Sequence, residues 1–251
     1  MFYTHDNNGT TVVCSSTDDF AITASSPQRM AKLKSDLSSH FEMTDLSELA
    51  WILSIQVKCD WILRTITLLQ ATYIDSVVKR FNLSSASPLQ TLINPNAQLS
   101  KDQCPSTLQQ IDNMQKVPYR EAIGSLMYAV IGTCPDITYA VTALSQYLQD
   151  PGHTHWEQAK HIIRYLKGTR DLELKFGPSR GVEGFTDASW GNDTDDCHSI
   201  CGYVFMLNEG TISWSSKKQS VVALSSTEVS GPLCHLVCSL QTERYSAEDT
   251  L

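Results

Sequence analysis

Thr11-Val12-Val13-Cys14-Ser15-Ser16-Thr17-Asp18-Asp19-Phe20-Ala21-Ile22-Thr23 reads as two short strands joined by a polar turn that carries adjacent carboxylates. The flanking runs, 11–14 and 20–23, are rich in β-forming residues and too short for helices. Two acidic side chains at a hairpin tip repel each other, so the turn gains from a cation beside it. Asp18 and Asp19 are therefore candidate metal ligands; the plain alternative is an ordinary acidic hairpin tip.

Working outward, 2–5 and 10–14 read as strands closed by Asn7-Asn8-Gly9, where Asn-Gly suits positive φ. Ser26-Pro27 opens a helix, with Met30, Leu33, Leu37 and Phe41 expected on one buried face. Strands are expected over 51–57 and 62–69, then a helix over 72–81 that buries Ile74, Val77, Val78 and Phe81. From 84 to 117 the composition shifts to Pro, Ser, Thr, Asn and Gln without apolar periodicity, which predicts a loose connector. Helices follow over 119–131, 135–148 and 154–167, the last ending at Gly168. Leu172, Leu174 and Phe176 alternate as a strand, and further strands are expected at 181–186, 203–207 and 211–215.

The whole chain is bounded by 251 residues, 41% apolar and 18% charged content, enough for one large domain or two small ones. A net charge of −8 and a pI near 5.3 exclude a surface that attracts phosphate everywhere. No apolar run reaches the ~18 residues that span a bilayer, and the N-terminus lacks the pattern of a secretion signal. Eight scattered cysteines suit reduced thiols in a cytoplasmic or nuclear setting. Cys197-His198-x-x-Cys201 and Cys234-His235-x-x-Cys238 could together bind zinc, against the simpler reading of scattered buried thiols. Asp193, Asp195 and Asp196 read as a cation site or, more plainly, a solvated acidic loop. After Ser230 and Pro232, an apolar stripe of Leu233, Leu236, Val237 and Leu240 reads as a short covering helix or a partner-binding one.

Longer motifs carry a family resemblance. Pro118-Tyr119-Arg120-Glu121-Ala122-Ile123-Gly124-Ser125-Leu126-Met127-Tyr128, then Pro135-Asp136-Ile137, His155-Trp156 and Arg164-Tyr165-Leu166-Lys167-Gly168-Thr169, resemble the connector region of copia-type retrotransposon Pol polyproteins. Thr186-Asp187-Ala188-Ser189-Trp190, Ser213-Trp214-Ser215-Ser216-Lys217-Lys218-Gln219 and Ala223-Leu224-Ser225-Ser226-Thr227-Glu228 extend the match. The resemblance runs in order from Phe2 to Glu228.

It implies a mixed α+β and α/β chain: a reverse-transcriptase palm remnant and thumb-like region (1–83), a linker (84–117), a helical connector (118–176), a partial ribonuclease H-like domain (177–228) and a divergent tail (229–251). Asp18 and Asp19 then stand in the polymerase's Tyr-x-Asp-Asp turn, with Ser16 where the aromatic belongs. Trp51, Leu53 and Ser54 resemble the hairpin that grips the primer end, with Ser47 and Ser54 where the family keeps glycine. Asp187 resembles the first ribonuclease H carboxylate. The implied ion is Mg2+, and the implied partner is an RNA–DNA hybrid or template–primer, met also by Arg120, Lys160 and Arg164. The third polymerase carboxylate belongs to an earlier palm strand, and the helix-borne ribonuclease H glutamate falls at Ser230. Both sites are therefore expected to be incomplete and the isolated chain inactive. Open sheet edges are expected to favour self-association. The alternative is a domesticated nucleic-acid-binding or protein-interaction module.

Overall fold

Strands β1 (Phe2–Asp6), β2 (Gly9–Ser16) and β3 (Asp19–Ala24) form an antiparallel sheet in that order. The computed structural model describes residues 1–7, 9–17, 19–94, 97–178, 181–191, 193, 195–220, 222 and 225, in two units, Met1–Val57 and Lys58–Leu251. Asp6 pairs with Gly9, so the chain turns between them and Gly9, expected within the turn, opens β2 instead. Gly9 sits at φ +121°, and a Cβ there would collide with Ser25. Helix α1 (Pro27–His40) starts where expected: the Ser26 hydroxyl accepts from Arg29 N and Pro27 occupies the first turn. Arg29 fastens it to the sheet, donating from Nε to Thr11 Oγ1 (3.1 Å) and from Nη1 to Asp6 Oδ1 (2.6 Å).

The expected buried face of α1 is corrected. Met30, Leu33 and Leu37 are only half-buried and Phe41 is 61% exposed. The sheet beneath is too narrow to cover them, and Thr11 is the one buried residue among the described residues of this unit. The strand expected over 51–57 is also corrected. It is a hairpin of β4 (Trp51–Ile52) and β5 (Ile55–Asp60), turning through Leu53 (φ +50°) and Ser54 (φ +60°). β5 carries the chain from the first unit into the second.

In the second unit the strand expected from 62 begins only at Thr65, as β6 (Thr65–Leu69). Asp60 Oδ1 accepts from the backbone N of both Ile62 and Leu63 (2.9 Å each), which holds 61–64 in a turn instead. Helix α2 (Ala71–Arg80) buries Ile74, Val77 and Val78 as its periodicity predicts. The segment 84–117 is not loose. It contains a short 3-10 turn, Lys101–Gln103, and a helix, α3 (Leu108–Gln115), started by a Thr107–Gln110 capping box. Leu92, Ile93, Leu99 and Val117 pack against the core.

Helices α4 (Tyr119–Gly132), α5 (Thr138–Ser145, after a 3-10 turn at Pro135–Ile137) and α6 (His153–Gly168) complete that core. Tyr119, Ile123, Leu126, Ile137, Leu144, Ile162 and Ile163 are almost wholly buried. Strand β7 (Leu174–Phe176) pairs antiparallel with β6. Strands β8 (Val182–Ser189), β9 (Ile200–Leu207) and β10 (Gly210–Lys218) form a separate antiparallel sheet in the order β10-β9-β8. The indole of Trp214 on β10 donates to Val130 O (3.0 Å) at the end of α4, docking this sheet on the helices. The tail helix expected after Ser230 lies outside the described residues.

Candidate functional site

In the first unit Ser16 pairs with Asp19, so the β2–β3 loop holds two residues and Asp19 opens β3 with its side chain exposed. Thr17 takes φ +48°, a conformation that strains a β-branched residue. Asp18 lies outside the described residues. Two other acids of this unit are engaged in ion pairs, Asp6 with Arg29 and Asp45 with Lys34 at 2.8 Å.

The β4–β5 hairpin exposes Trp51 (50%) and Leu53 (56%). Ser47 has φ +67° and Ser54 φ +60°. Both positions at which the resemblance expects glycine therefore require the left-handed region, and serine occupies it under strain. Replacing Leu53 by Asn and Ser54 by Gly supplies the residues a tight hairpin with two positive φ angles prefers. That double variant is expected to raise stability by about 1–2 kcal/mol, read as a higher urea midpoint. An unchanged or lower midpoint would show that the turn is unstrained.

In the second unit Asp187 sits mid-strand on β8, paired with Gly202, its side chain exposed. It lines a cleft of about 390 Å3 together with Asp136, Tyr139, Phe185, Tyr203 and Trp214. Asp136 is committed elsewhere, accepting from the Tyr165 hydroxyl at 2.7 Å. Burial first, and then this carboxylate, push the Tyr165 phenol up to about 12.

The basic residues expected at nucleic acid are tied down within the chain. Arg120 Nε donates to Leu148 O (2.9 Å), and Lys160 pairs with Glu157 (2.6 Å) while lying 5.7 Å from the centre of the Trp156 ring. Arg164 Nε donates to Ser87 O (2.8 Å). His155, fully buried and stacked 3.9 Å from Tyr147, accepts Gly152 N on Nδ1 and so caps its own helix. Burial lowers its pKa and keeps the ring neutral.

The acidic loop is neither a solvated run nor a metal cage, because its cation is Lys218. Lys218 Nζ lies 2.7 Å from both Asp193 Oδ2 and Asp196 Oδ2, and the Asp193 side chain is 8% exposed. Asp195 accepts from Lys101 N at 3.0 and 3.1 Å, pinning the 3-10 turn at 101–103. Sequence reading missed Lys218 because it belongs to another strand.

Hydrogen bonding to Lys218, ahead of smaller contributions from His198, holds the Asp196 carboxyl well below the usual range. Burial disfavours the Lys218 charge, but the two carboxylates outweigh it and raise its pKa. Lys218→Met is expected to cost about 2–3 kcal/mol, since it strands a nearly buried carboxylate. Asp196, with its folded pKa depressed, contributes stability above its unfolded value near 4 and loses it as pH falls. Urea titration should therefore show the penalty at pH 7 shrinking below about pH 4. A pH-independent penalty would point to lost packing alone.

Cys197 is exposed at φ +56° and Cys201 is half-buried on β9, while Cys234, His235 and Cys238 lie outside the described residues. Among the described residues no group of three or more His, Cys, Asp or Glu side chains is placed to hold a metal ion. Nor is any described helix long and apolar enough to cross a membrane.

A family model described as reverse transcriptase (RNA-dependent DNA polymerase) matches residues 1–95. The chain is 44% identical over 212 residues to the retrovirus-related Pol polyprotein from transposon TNT 1-94 of Nicotiana tabacum, covering 84% of this chain and 16% of that one. It is 36% identical over 235 residues to the Pol polyprotein from transposon RE1 of Arabidopsis thaliana, covering 90% and 15%. It is also 47% identical over 118 residues to the secreted RxLR effector protein 161 of Plasmopara viticola, covering 46% and 82%. The chain thus spans under a fifth of the length of the Pol polyproteins it matches. No solved structure matches it significantly.

Proposed function

Because this chain belongs to the reverse-transcriptase-bearing Pol polyproteins of copia-type retrotransposons, we propose that its first unit is the end of a polymerase palm with its primer-gripping hairpin. In this reading Asp18 and Asp19 are the metal-binding pair of the polymerase turn, and Trp51, Leu53 and Ser54 approach the primer end. The helical block of the second unit is the connector, and β8–β10 open a ribonuclease H-like sheet with Asp187 as its first carboxylate. The partner is a template–primer or RNA–DNA hybrid.

The observation that carries the reading is the pair of tight hairpins in the first unit. One turns immediately before Asp19, and the other turns at Ser54, with Ser47 also left-handed, where the resemblance requires glycine.

The reverse transcriptase family uses divalent metal ions generally. The described carboxylates do not by themselves fit Mg2+, since among the described residues no group of three or more acidic or other metal-ligating side chains forms around Asp19 or Asp187, and Asp136 is bound to Tyr165. The 251 residues alone are expected to be inactive. The module alternative gains nothing from the match to Pol polyproteins along most of the chain.

Titration with a short RNA–DNA hybrid tests the reading. With a net charge of −8 and only local cations, binding is expected to be weak. Contact with two to four phosphates would give a log–log salt slope of about −2 to −4. Tight binding that survives physiological salt would favour a dedicated binding module instead. Sedimentation of the same samples reports on a second copy at the open β1 edge, where Phe2 and Tyr3 are 69% and 61% exposed.

A further inference from the structure

Helix α6 holds the backbone of the chain's own 84–94 segment with side chains three positions apart, a row that winds round the helix. Gln158 Oε1 accepts from Asn94 N (3.1 Å), and His161 Nε2 donates to Thr91 O (2.8 Å). Arg164 uses both ends: its carbonyl accepts from Leu89 N (3.3 Å) and its Nε donates to Ser87 O (2.8 Å). Lys167 Nζ donates to Ala86 O (2.9 Å) and Ser84 O (2.5 Å). The strap therefore runs antiparallel to the helix along a row of residues three apart, neighbours that wind about half-way round α6 from Gln158 to Lys167. At Gly168 a side chain would crowd it, with a built Cβ 3.1 Å from Pro88 Cβ and 3.3 Å from Leu89 O.

The strap satisfies these cations without neutralising them. Residues 84–94 (Ser-Ser-Ala-Ser-Pro-Leu-Gln-Thr-Leu-Ile-Asn) contain no carboxylate. Among the described residues, Arg164 and Lys167 form hydrogen bonds to carbonyls and no ion pair. Helix α6 carries Lys160, Arg164 and Lys167 against one acid, Glu157, in a protein whose net charge is −8. Between strap and helix lies a cavity of about 250 Å3, lined by Leu83, Ala86, Asn94, Lys160, His161 and Arg164 among others. A phosphate oxygen carries full charge where a carbonyl carries a dipole, and hydrogen bonds between ionised partners are about twice as strong. Leu83, Leu92 and Ile93 anchor both ends of the strap on the core, so its middle can lift without unfolding the helices.

We propose that the α6 row is a phosphodiester-binding surface gated by this strap: the 84–91 backbone occupies Arg164 and Lys167 in the free protein, and a nucleic-acid backbone takes its place. The proposal rests on the nucleic-acid reading above and adds the competition. Chymotrypsin cleavage after Leu89 in the full chain reports the strap. A short RNA–DNA hybrid should accelerate that cut by about tenfold, as expected for loss of the clamping hydrogen bonds, and leave cuts within α4 unchanged. Arg164→Gln with Lys167→Gln should speed the cut to a similar degree without hybrid, and should weaken hybrid binding. A hybrid that binds while the strap stays protected overturns the gating. So does a double variant that binds as tightly as the parent. No binding at all removes the nucleic-acid reading itself, and the gate with it. The parent protein alone supplies the first comparison, so misfolding of the double variant does not shelter the idea.

Discussion

Joined behind an intact copia-type polymerase segment that supplies the earlier palm strand, this chain is expected to support RNA-templated primer extension. Asp18→Asn or Asp19→Asn should then lower it by about 10³-fold, while the 251 residues alone stay at background with Mg2+ or Mn2+. In-line nucleotidyl transfer needs two metal ions and carboxylates enough to hold both. The first unit brings Asp19 to a hairpin tip, but Asp6 and Asp45 are spent on Arg29 and Lys34, on ion pairs that shape the unit itself. The resemblance puts the third carboxylate on another palm strand. Ser16 stands where the family keeps an aromatic residue, so the joined protein should run slowly and Ser16→Tyr should quicken it. Extension by the isolated chain above an Asp18→Ala, Asp19→Ala control would overturn this account. So would a joined protein indifferent to both substitutions.

Local chemistry made much of the fold legible. Asn7-Asn8-Gly9 announced its hairpin, Ser26-Pro27 its helix, and Ile74, Val77, Val78 and Phe81 their buried stripe, because each signal lies within a few residues of what it specifies. The β4–β5 turn was visible only through the family resemblance and not from residue pattern, for a physical reason: Leu53 and Ser54 hold positive φ without the glycine that normally advertises it. The strap at 84–94 was hidden because its partners on α6 lie 64 to 83 positions away and grip backbone atoms, which leave no side-chain pattern. Helix α3 had a readable sign in Thr107 and Gln110, a capping box that the surrounding Pro, Ser and Gln masked. The candidate carboxylates were legible as residues but not as a site. Nothing in the sequence showed that Lys218 fills the acidic loop, or that Arg120, Lys160 and Arg164 are engaged within the chain.

Cleavage of the RNA strand in a labelled hybrid is expected only from a chimera in which an intact family C-terminus follows Glu228, and Asp187→Asn should abolish it. Asp187 has a fitting place: within β8, exposed in a cleft, and paired through its backbone with Gly202. One carboxylate does not organise two metals, and its neighbour Asp136 is occupied by the Tyr165 hydroxyl. The resemblance places the next ligand, a helix-borne glutamate, at Ser230. Ser230→Glu alone should recover nothing, because Gly231-Pro232 disfavours the helix that must aim the new carboxylate, and the later aspartates are still needed. Asp187 is a surface residue, so Asp187→Asn should leave the melting transition of the chimera unchanged while cleavage disappears. Cleavage by the 251-residue chain or by its Ser230→Glu form, lost on Asp187→Asn, would show that this site works with fewer carboxylates than two-metal hydrolysis demands.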